Sequence, residues 1–336
     1  MPEGRVQLER FESAVLKANP LGDPSVRRVP VYLPPSYDTH PERRYPAVFL
    51  LSGFTGRGTM MLNDQAWSLP IDQRMDRLIA NGRAGEMILV MPDCFTRFGG
   101  SQYLDSPATG RYATHLIDEL VPFVDRAFRT MPSREHRGVA GKSSGGYGAL
   151  RLGMEHPRVF GAVACQSGDM YFDYCYRVDL PKACTVLQEA GGVRAFLERF
   201  ESNPQRSKDD FVALNILGMA ACYSADANEE LGVALPFDLA SGAFRPDVWM
   251  RWLEHDPLQM LETHADALRS LRLLYLDCGT RDEFHLHHGM RLFVRALRAR
   301  GISHVSEEFP DGHMNVTYRY DTTLPLLSQA LGAAHA

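Results

Sequence analysis

Short, unbroken apolar runs recur along the chain and alternate with segments whose apolar residues return three and four apart. The runs at 45–51, 87–91, 138–140, 161–165 and 271–278 predict strands covered on both faces, as in a parallel sheet. A further strand is predicted at 304–309. Val6 to Leu16 and Arg27 to Leu33 alternate in part, and Pro34-Pro35 stops the second, so both predict strands early in the chain. Helical spacing covers 70–84, where Ile71, Met75, Leu78 and Ile79 share a face behind Pro70, and also 113–128, 287–300 and 322–331. Strand and helix follow each other at a steady pace, which predicts an α/β fold with a mainly parallel central sheet and helices on both faces.

The rhythm breaks once. From Met170 to Phe244 there is no clean strand, but there are clustered aromatics (Tyr171, Phe172, Tyr174, Tyr176) and helix-like pieces at 193–200 and 211–223. This pattern predicts a core of residues 1–169 and 245–336, interrupted by a helical insertion at 170–244 that lies across the sheet's carboxyl edge as a lid. The aromatics would line an acyl or aryl pocket or form the lid's own small core. Trp249, Trp252 and Leu253 fall in a helix after it. The 92–109 segment, long and mixed in character, predicts a binding loop.

Composition narrows the class. With 336 residues and 45% hydrophobic content the chain can bury a large core, roughly 75% of its unfolded surface. A net charge of −5 offers no basic patch for phosphate backbones, so nucleic acid is not an expected partner. Charges break the N-terminal segment throughout, and no run reaches the roughly 18 apolar residues a membrane span needs. The expectation is a soluble, cytoplasmic protein with no membrane partner; a homodimer stays open. Cys94, Cys165 and Cys278 lie in or beside strand-like runs and read as small hydrophobes. A bridge among Cys175, Cys184 and Cys222 also stays open. No C-x-x-C or H-x-x-x-H spacing occurs, so neither a metal nor a cofactor is expected.

The chemistry centres on His136 to Met154. An apolar run at 138–140 leads through Gly141-Lys142-Ser143-Ser144-Gly145 into a helix-period segment. A G-x-S-x-G at a strand-to-helix turn suits a nucleophile elbow, whose strained serine tolerates no bulky neighbour two residues away. The register selects Ser143, with the backbone N–H of Ser144 turned toward an oxyanion; the plainer alternative is a glycine-rich turn with two capping serines. In an α/β-hydrolase the second oxyanion donor follows the third strand, where Ser52-Gly53-Phe54-Thr55-Gly56 stands, and the Phe54 N–H is the candidate. A serine hydroxyl needs a base, and the base needs a carboxylate to hold its tautomer. Asp282 follows one buried strand and His313 the next, so both reach the same sheet edge. Asp277 would point into sheet packing and Glu283 stands one residue late. His285, His287 and His288 begin a helix, where histidines are usually solvated, and His115, His136 and His156 read as surface residues. Substrate contacts are expected from Gly53, Thr55, Tyr171, Phe172 and Tyr174; Lys142 points to solvent or the lid, or meets substrate.

Four stretches follow one another along the chain: LLSGFTG, GKSSGGYGALRLGMEHPRVFGAVACQSG, LDCGTRDEF and EEFPDGHMN. Together they resemble the Putative esterase family of α/β-hydrolases, which holds esterase D (S-formylglutathione hydrolase), feruloyl and acetylxylan esterases, enterochelin esterases and the antigen 85 mycolyltransferases. The resemblance implies an α/β-hydrolase fold, a nucleophile, acid and base at Ser143, Asp282 and His313, and oxyanion donors at Phe54 and Ser144. It implies a serine carboxylesterase for a small to medium ester. An antigen 85-type acyltransferase, an S-formylglutathione thioesterase and a non-catalytic binding protein on the same scaffold are the alternatives. Esterase D itself carries a methionine after its nucleophile and a cysteine in the oxyanion loop, where this chain has Ser144 and nearby Gly56.

Overall fold

Each unbroken apolar run becomes a strand of one eight-stranded sheet in the computed structural model, which describes residues 3–333. The strands are β1 (Arg5–Glu12), β2 (Val26–Leu33), β3 (Ala47–Leu51), β4 (Ile88–Val90), β5 (Arg137–Lys142), β6 (Ala162–Gln166), β7 (Leu273–Gly279) and β8 (Val305–Phe309). In space they run β1-β2-β4-β3-β5-β6-β7-β8. β2 pairs antiparallel with both β1 and β4, and every other pairing is parallel. β3, β4 and β6 are buried at every residue, as strands covered on both faces must be, whereas the outermost β1 and β8 are largely exposed.

Side-chain alternation sends the strands' residues into two cores. Val48, Leu50, Leu89 and Ala164 meet Met75 and Leu78 of α1 (Ile71–Ala80) on one face. Phe49, Leu51, Val90 and Val139 pack on the other, with a helical segment over 112–127 (α2) and with α3 (Ser144–Glu155). Between β6 and β7 the chain is helical: α4 (Phe172–Cys175), α5 (Leu180–Ala190), α6 (Val193–Ser202), α7 (Lys208–Tyr223), α8 (Pro246–Leu253) and α9 (Pro257–Arg269). α10 (Leu286–Ala299) leads to β8, and α11 (Tyr320–Ala330) joins α1 on the first face. Ser207 caps α7 in a reciprocal box with Asp210, and most of the helix beyond it is buried.

Trp252 of α8 is fully buried, donates its indole N–H to Ser224 Oγ at 2.8 Å, and lies against the Tyr223 and Tyr176 rings. Asp256, at the start of α9, accepts the N–H groups of Tyr171 (3.1 Å), Phe172 (2.7 Å) and Leu258 (3.0 Å). One carboxylate thus caps α9 and holds the beginning of α4.

Some expectations change. The first strand stops at Glu12, because Ala14 and Val15 give their N–H groups to Glu119 instead of to a ladder partner. His115 is not at the surface: it is fully buried in a π-helical turn, His115–Leu120, with Phe11 and Tyr112 around its ring, and burial depresses its pKa to about 4. His287 is likewise buried. All six cysteines are free and buried, so the bridge left open among Cys175, Cys184 and Cys222 does not form. Among the described residues no helix is long and apolar enough to cross a membrane, and no cluster of His, Cys, Asp or Glu is placed to hold a metal.

His255 stacks on Tyr223 at 5.0 Å and faces Arg151 Nη1 at 2.8 Å from its Nδ1. Burial, then the Arg151 and Arg251 charges, depress its pKa to about 3. An unfolded chain protonates this histidine near pH 6.5 while the folded chain does not, so the unfolded state binds more protons and stability falls as pH drops below that point. From pH 7 to 5 the loss assigned to His255 is roughly 1–2 kcal/mol. His255→Gln should remove that part of the acid sensitivity, which urea denaturation of both proteins at the two pH values will measure.

Candidate active site

β5 ends at Lys142 and α3 begins at Ser144, which leaves Ser143 alone at the turn with φ +59° and ψ −128°. A non-glycine residue is rarely held there, and its neighbours hold it firmly. The Ser143 N–H donates to Gln166 O at 2.9 Å, and the Ser143 carbonyl accepts from Tyr147 N at 2.9 Å. A Cβ on Gly145 would lie 2.1 Å from the Leu51 carbonyl oxygen, and one on Gly141 would lie 2.5 Å from the Gly145 carbonyl. The elbow closes only with glycine at both places.

The loop after β3 lies directly alongside, since a Cβ on Gly53 would come within 3.4 Å of the Ser143 Cβ. The neighbouring Thr55 and Gly56 N–H groups are engaged by Gly99 O (2.7 Å) and Gly53 O (2.9 Å). Among the described residues the Phe54 and Ser144 N–H groups have no acceptor, and both residues line one cavity of about 360 Å³ with Ser143 and His313. Two backbone donors are therefore free beside the serine.

Across the sheet edge, Asp282 Oδ2 is 2.7 Å from His313 Nδ1, and both side chains are buried. Asp282 Oδ1 accepts the N–H groups of Phe284 (2.9 Å) and Leu286 (3.4 Å). Burial pushes the Asp282 carboxyl upward, but the His313 contact and those two donors outweigh it, so its pKa falls below the usual aspartate value. Glu283 acts on the backbone instead: its Oε2 accepts the His313 N–H at 2.6 Å. The Phe284 ring stands nearly edge-on to the imidazole, with centroids 4.8 Å apart. Asp277 lies within the sheet and pairs with Arg319 Nε at 2.8 Å. No hydrogen bond joins the Ser143 hydroxyl to His313 among the described residues; in unliganded enzymes such contacts are often long and tighten when substrate binds.

Gly53, Thr55 and Lys142 line the cavity; Tyr171, Phe172 and Tyr174 do not. Phe172 is fully buried against Tyr176 (4.8 Å) and Tyr223 (5.3 Å), while the Tyr171 and Tyr174 rings meet at a tilt with centroids 4.4 Å apart. Lys142 does not simply face solvent. It is half-buried, and that desolvation lowers its pKa against the opposing pull of Asp282 and Glu283. Of the aromatic cluster expected to line a pocket, Tyr176 does reach the wall, which also includes residues the sequence did not single out: Asp169 from the loop after β6, and Phe211 and Asn215 of α7. Asp169 could have been noticed, because Gln166-Ser167-Gly168-Asp169 directly follows a buried strand at the carboxyl edge where ligands collect. Phe211 and Asn215 carried no such signal.

A family model described as Putative esterase matches residues 24–325. An endo-1,4-β-xylanase/feruloyl esterase of Xylanibacter ruminicola is 30% identical over 151 residues, 42% of this chain and 19% of that protein. An esterase of Mycobacterium tuberculosis is 31% identical over 171 residues, 49% of this chain and 32% of that protein. The chain thus spans 19% and 32% of the length of these two curated relatives. Among solved structures, a ferulic acid esterase superposes with a TM-score of 0.62 at 22% identity, covering 98% of this chain and 100% of that one. An S-formylglutathione hydrolase of Agrobacterium tumefaciens gives 0.60 at 17% identity, covering 99% and 97%.

The Leu51 carbonyl leaves no room at residue 145, and backbone cannot step aside as a side chain can. Gly145→Ala should lower stability by at least about 2–4 kcal/mol or prevent folding, read as a fall in Tm and loss of the native near-UV circular dichroism.

Proposed function

The chain belongs to the Putative esterase family and has its α/β-hydrolase fold, and from that footing we propose that it is a serine carboxylesterase acting on a small to medium ester. The observation that carries the reading is the buried 2.7 Å contact of Asp282 with His313 on the cavity that Ser143 also lines. Ser143 Oγ attacks the ester carbonyl while His313 Nε2 takes its proton. The carbonyl oxygen becomes an oxyanion and accepts from the Phe54 and Ser144 N–H groups, each worth on the order of a hundredfold or more in rate. His313 then gives its proton to the departing alcohol, which leaves Ser143 acylated. Water enters and attacks the acyl carbon while His313 takes one of its protons. The same two N–H groups hold the second tetrahedral intermediate, and His313 returns the proton to Ser143 Oγ as the acyl–Oγ bond breaks and the acid is released.

Asp282 keeps the proton of the imidazole on Nδ1, so that Nε2 is the basic nitrogen, and offsets the positive charge that forms on it. Glu283 fixes the backbone of residue 313 and therefore the direction of the ring. The helical segment 170–244 serves as a lid: α7 brings Phe211 and Asn215 to the cavity and screens the reacting centre from bulk water.

The wild-type protein should react with a fluorophosphonate probe and hydrolyse p-nitrophenyl esters. Ser143→Ala should abolish labelling and lower kcat by roughly a millionfold with Tm little changed. Asp282→Asn should cost roughly ten-thousandfold through the wrong tautomer. Labelling that persists in Ser143→Ala would move the nucleophile elsewhere, and a folded wild type that never labels would exclude a serine hydrolase.

A further inference from the structure

Asp169 is 6% exposed, lies on the wall of the cavity, and divides its two oxygens sharply. Oδ2 accepts from Tyr176 OH (2.7 Å), Gln102 Nε2 (3.1 Å) and Ser144 Oγ (3.2 Å). Oδ1 has no hydrogen-bond partner among the described residues. A second acceptor points to the same conclusion from a different element: Asn215 on α7 also lines the cavity, and its buried Oδ1 has no partner either. Buried acceptors are ordinarily satisfied, and leaving one without a donor costs about 1–3 kcal/mol. Asn215 Oδ1 is such an atom, and together with the unpartnered Asp169 Oδ1 on the same wall it makes the cavity complementary to a ligand that supplies a donor.

We infer that Asp169 is a specificity-determining residue that selects esters carrying a hydroxyl group, whose O–H donates to Asp169 Oδ1 with Asn215 as a second acceptor. The inference rests on the proposal that Ser143 opens an ester in this cavity. A neutral donor fits better than an ammonium, because Lys142 lines the same cavity without an ion pair among the described residues and would repel a cation. Burial also raises the Asp169 pKa, despite help from its hydrogen-bond donors, so the site gains from a donor that shares the charge. The same carboxylate disfavours a methyl ether, which brings lone pairs and no proton. A site built around a hydroxyl rejects the analogue that lacks it, because its own polar groups are then stranded.

The geometry makes the effect of Asp169→Asn directional. Tyr176, Gln102 and Ser144 are all donors to Oδ2, so the amide oxygen stays with them and the NH2 turns into the cavity. An acceptor becomes a donor, which a hydroxyl and a methoxy oxygen satisfy alike.

The test uses trios of esters that differ only in bearing a hydroxyl, a methoxy or a hydrogen at one position, varied in either half of the ester. In the wild type, the hydroxyl member of at least one trio should exceed the other two by tenfold or more in kcat/KM. Asp169→Asn should bring the hydroxyl-to-methoxy ratio close to one, and Asn215→Leu, which leaves the elbow untouched, should reduce the preference several-fold. The fluorophosphonate labelling rate is measured on all three proteins. A wild type that labels and hydrolyses but shows no hydroxyl preference, or a preference that survives in a folded, labelling Asp169→Asn protein, overturns the inference. A wild type that does not label fails at the nucleophile instead.

Discussion

The carbonyl oxygen of Leu51 occupies the place where a side chain at residue 145 would begin, and the local geometry around Ser143 follows from that crowding. β3 and β5 run parallel and in register, so the last carbonyl of β3 faces the first turn of α3. For the helix to start there the chain must reverse within one residue, which places Ser143 at positive φ and raises its side chain above the sheet. The same turn exposes the first N–H of α3, which a helix leaves without an internal partner. Strand pairing, the strained serine and a free backbone donor are thus three aspects of one packing requirement.

Strain elsewhere is gathered at the same edge. Thr55, Gln102, Ser167, Tyr171, His285 and Asn315 also have positive φ, and all lie in loops that leave the carboxyl ends of the strands. Such conformations cost energy and persist only where the surroundings enforce them. The parallel sheet with its two cores supplies that enforcement, and a residue such as Asp169 can be held in place by partners from three different loops and helices.

Most of the sheet was legible in the sequence because a strand buried on both faces is an unbroken apolar run, and β3, β4 and β6 are strands of that kind. Boundaries were less legible: the first strand ends early for a reason located at Glu119, more than a hundred residues away. His115 was misjudged for a related reason, since its burial depends on a π turn that side-chain spacing does not encode. At the site, the loops bearing Asp282 and His313 could be placed from their positions after strands. A helical piece at 211–223 was expected over that edge, but not which of its residues reach the cavity, because Phe211 and Asn215 do so through the tertiary path of a segment with no periodic relation to the sheet.

Asp256 gathers the backbone of Tyr171 and Phe172 to the start of α9, so more than eighty residues of chain leave and return at a single carboxylate. Two hydrogen bonds join those ends directly, from the Tyr171 and Phe172 N–H groups, while the third caps α9. The buried faces of the intervening helices share one core with the sheet, so change is cheapest on their exposed faces, where the clasp and that core both stay intact. In such a scaffold, descent can rewrite which molecules are admitted without renegotiating the framework that transforms them.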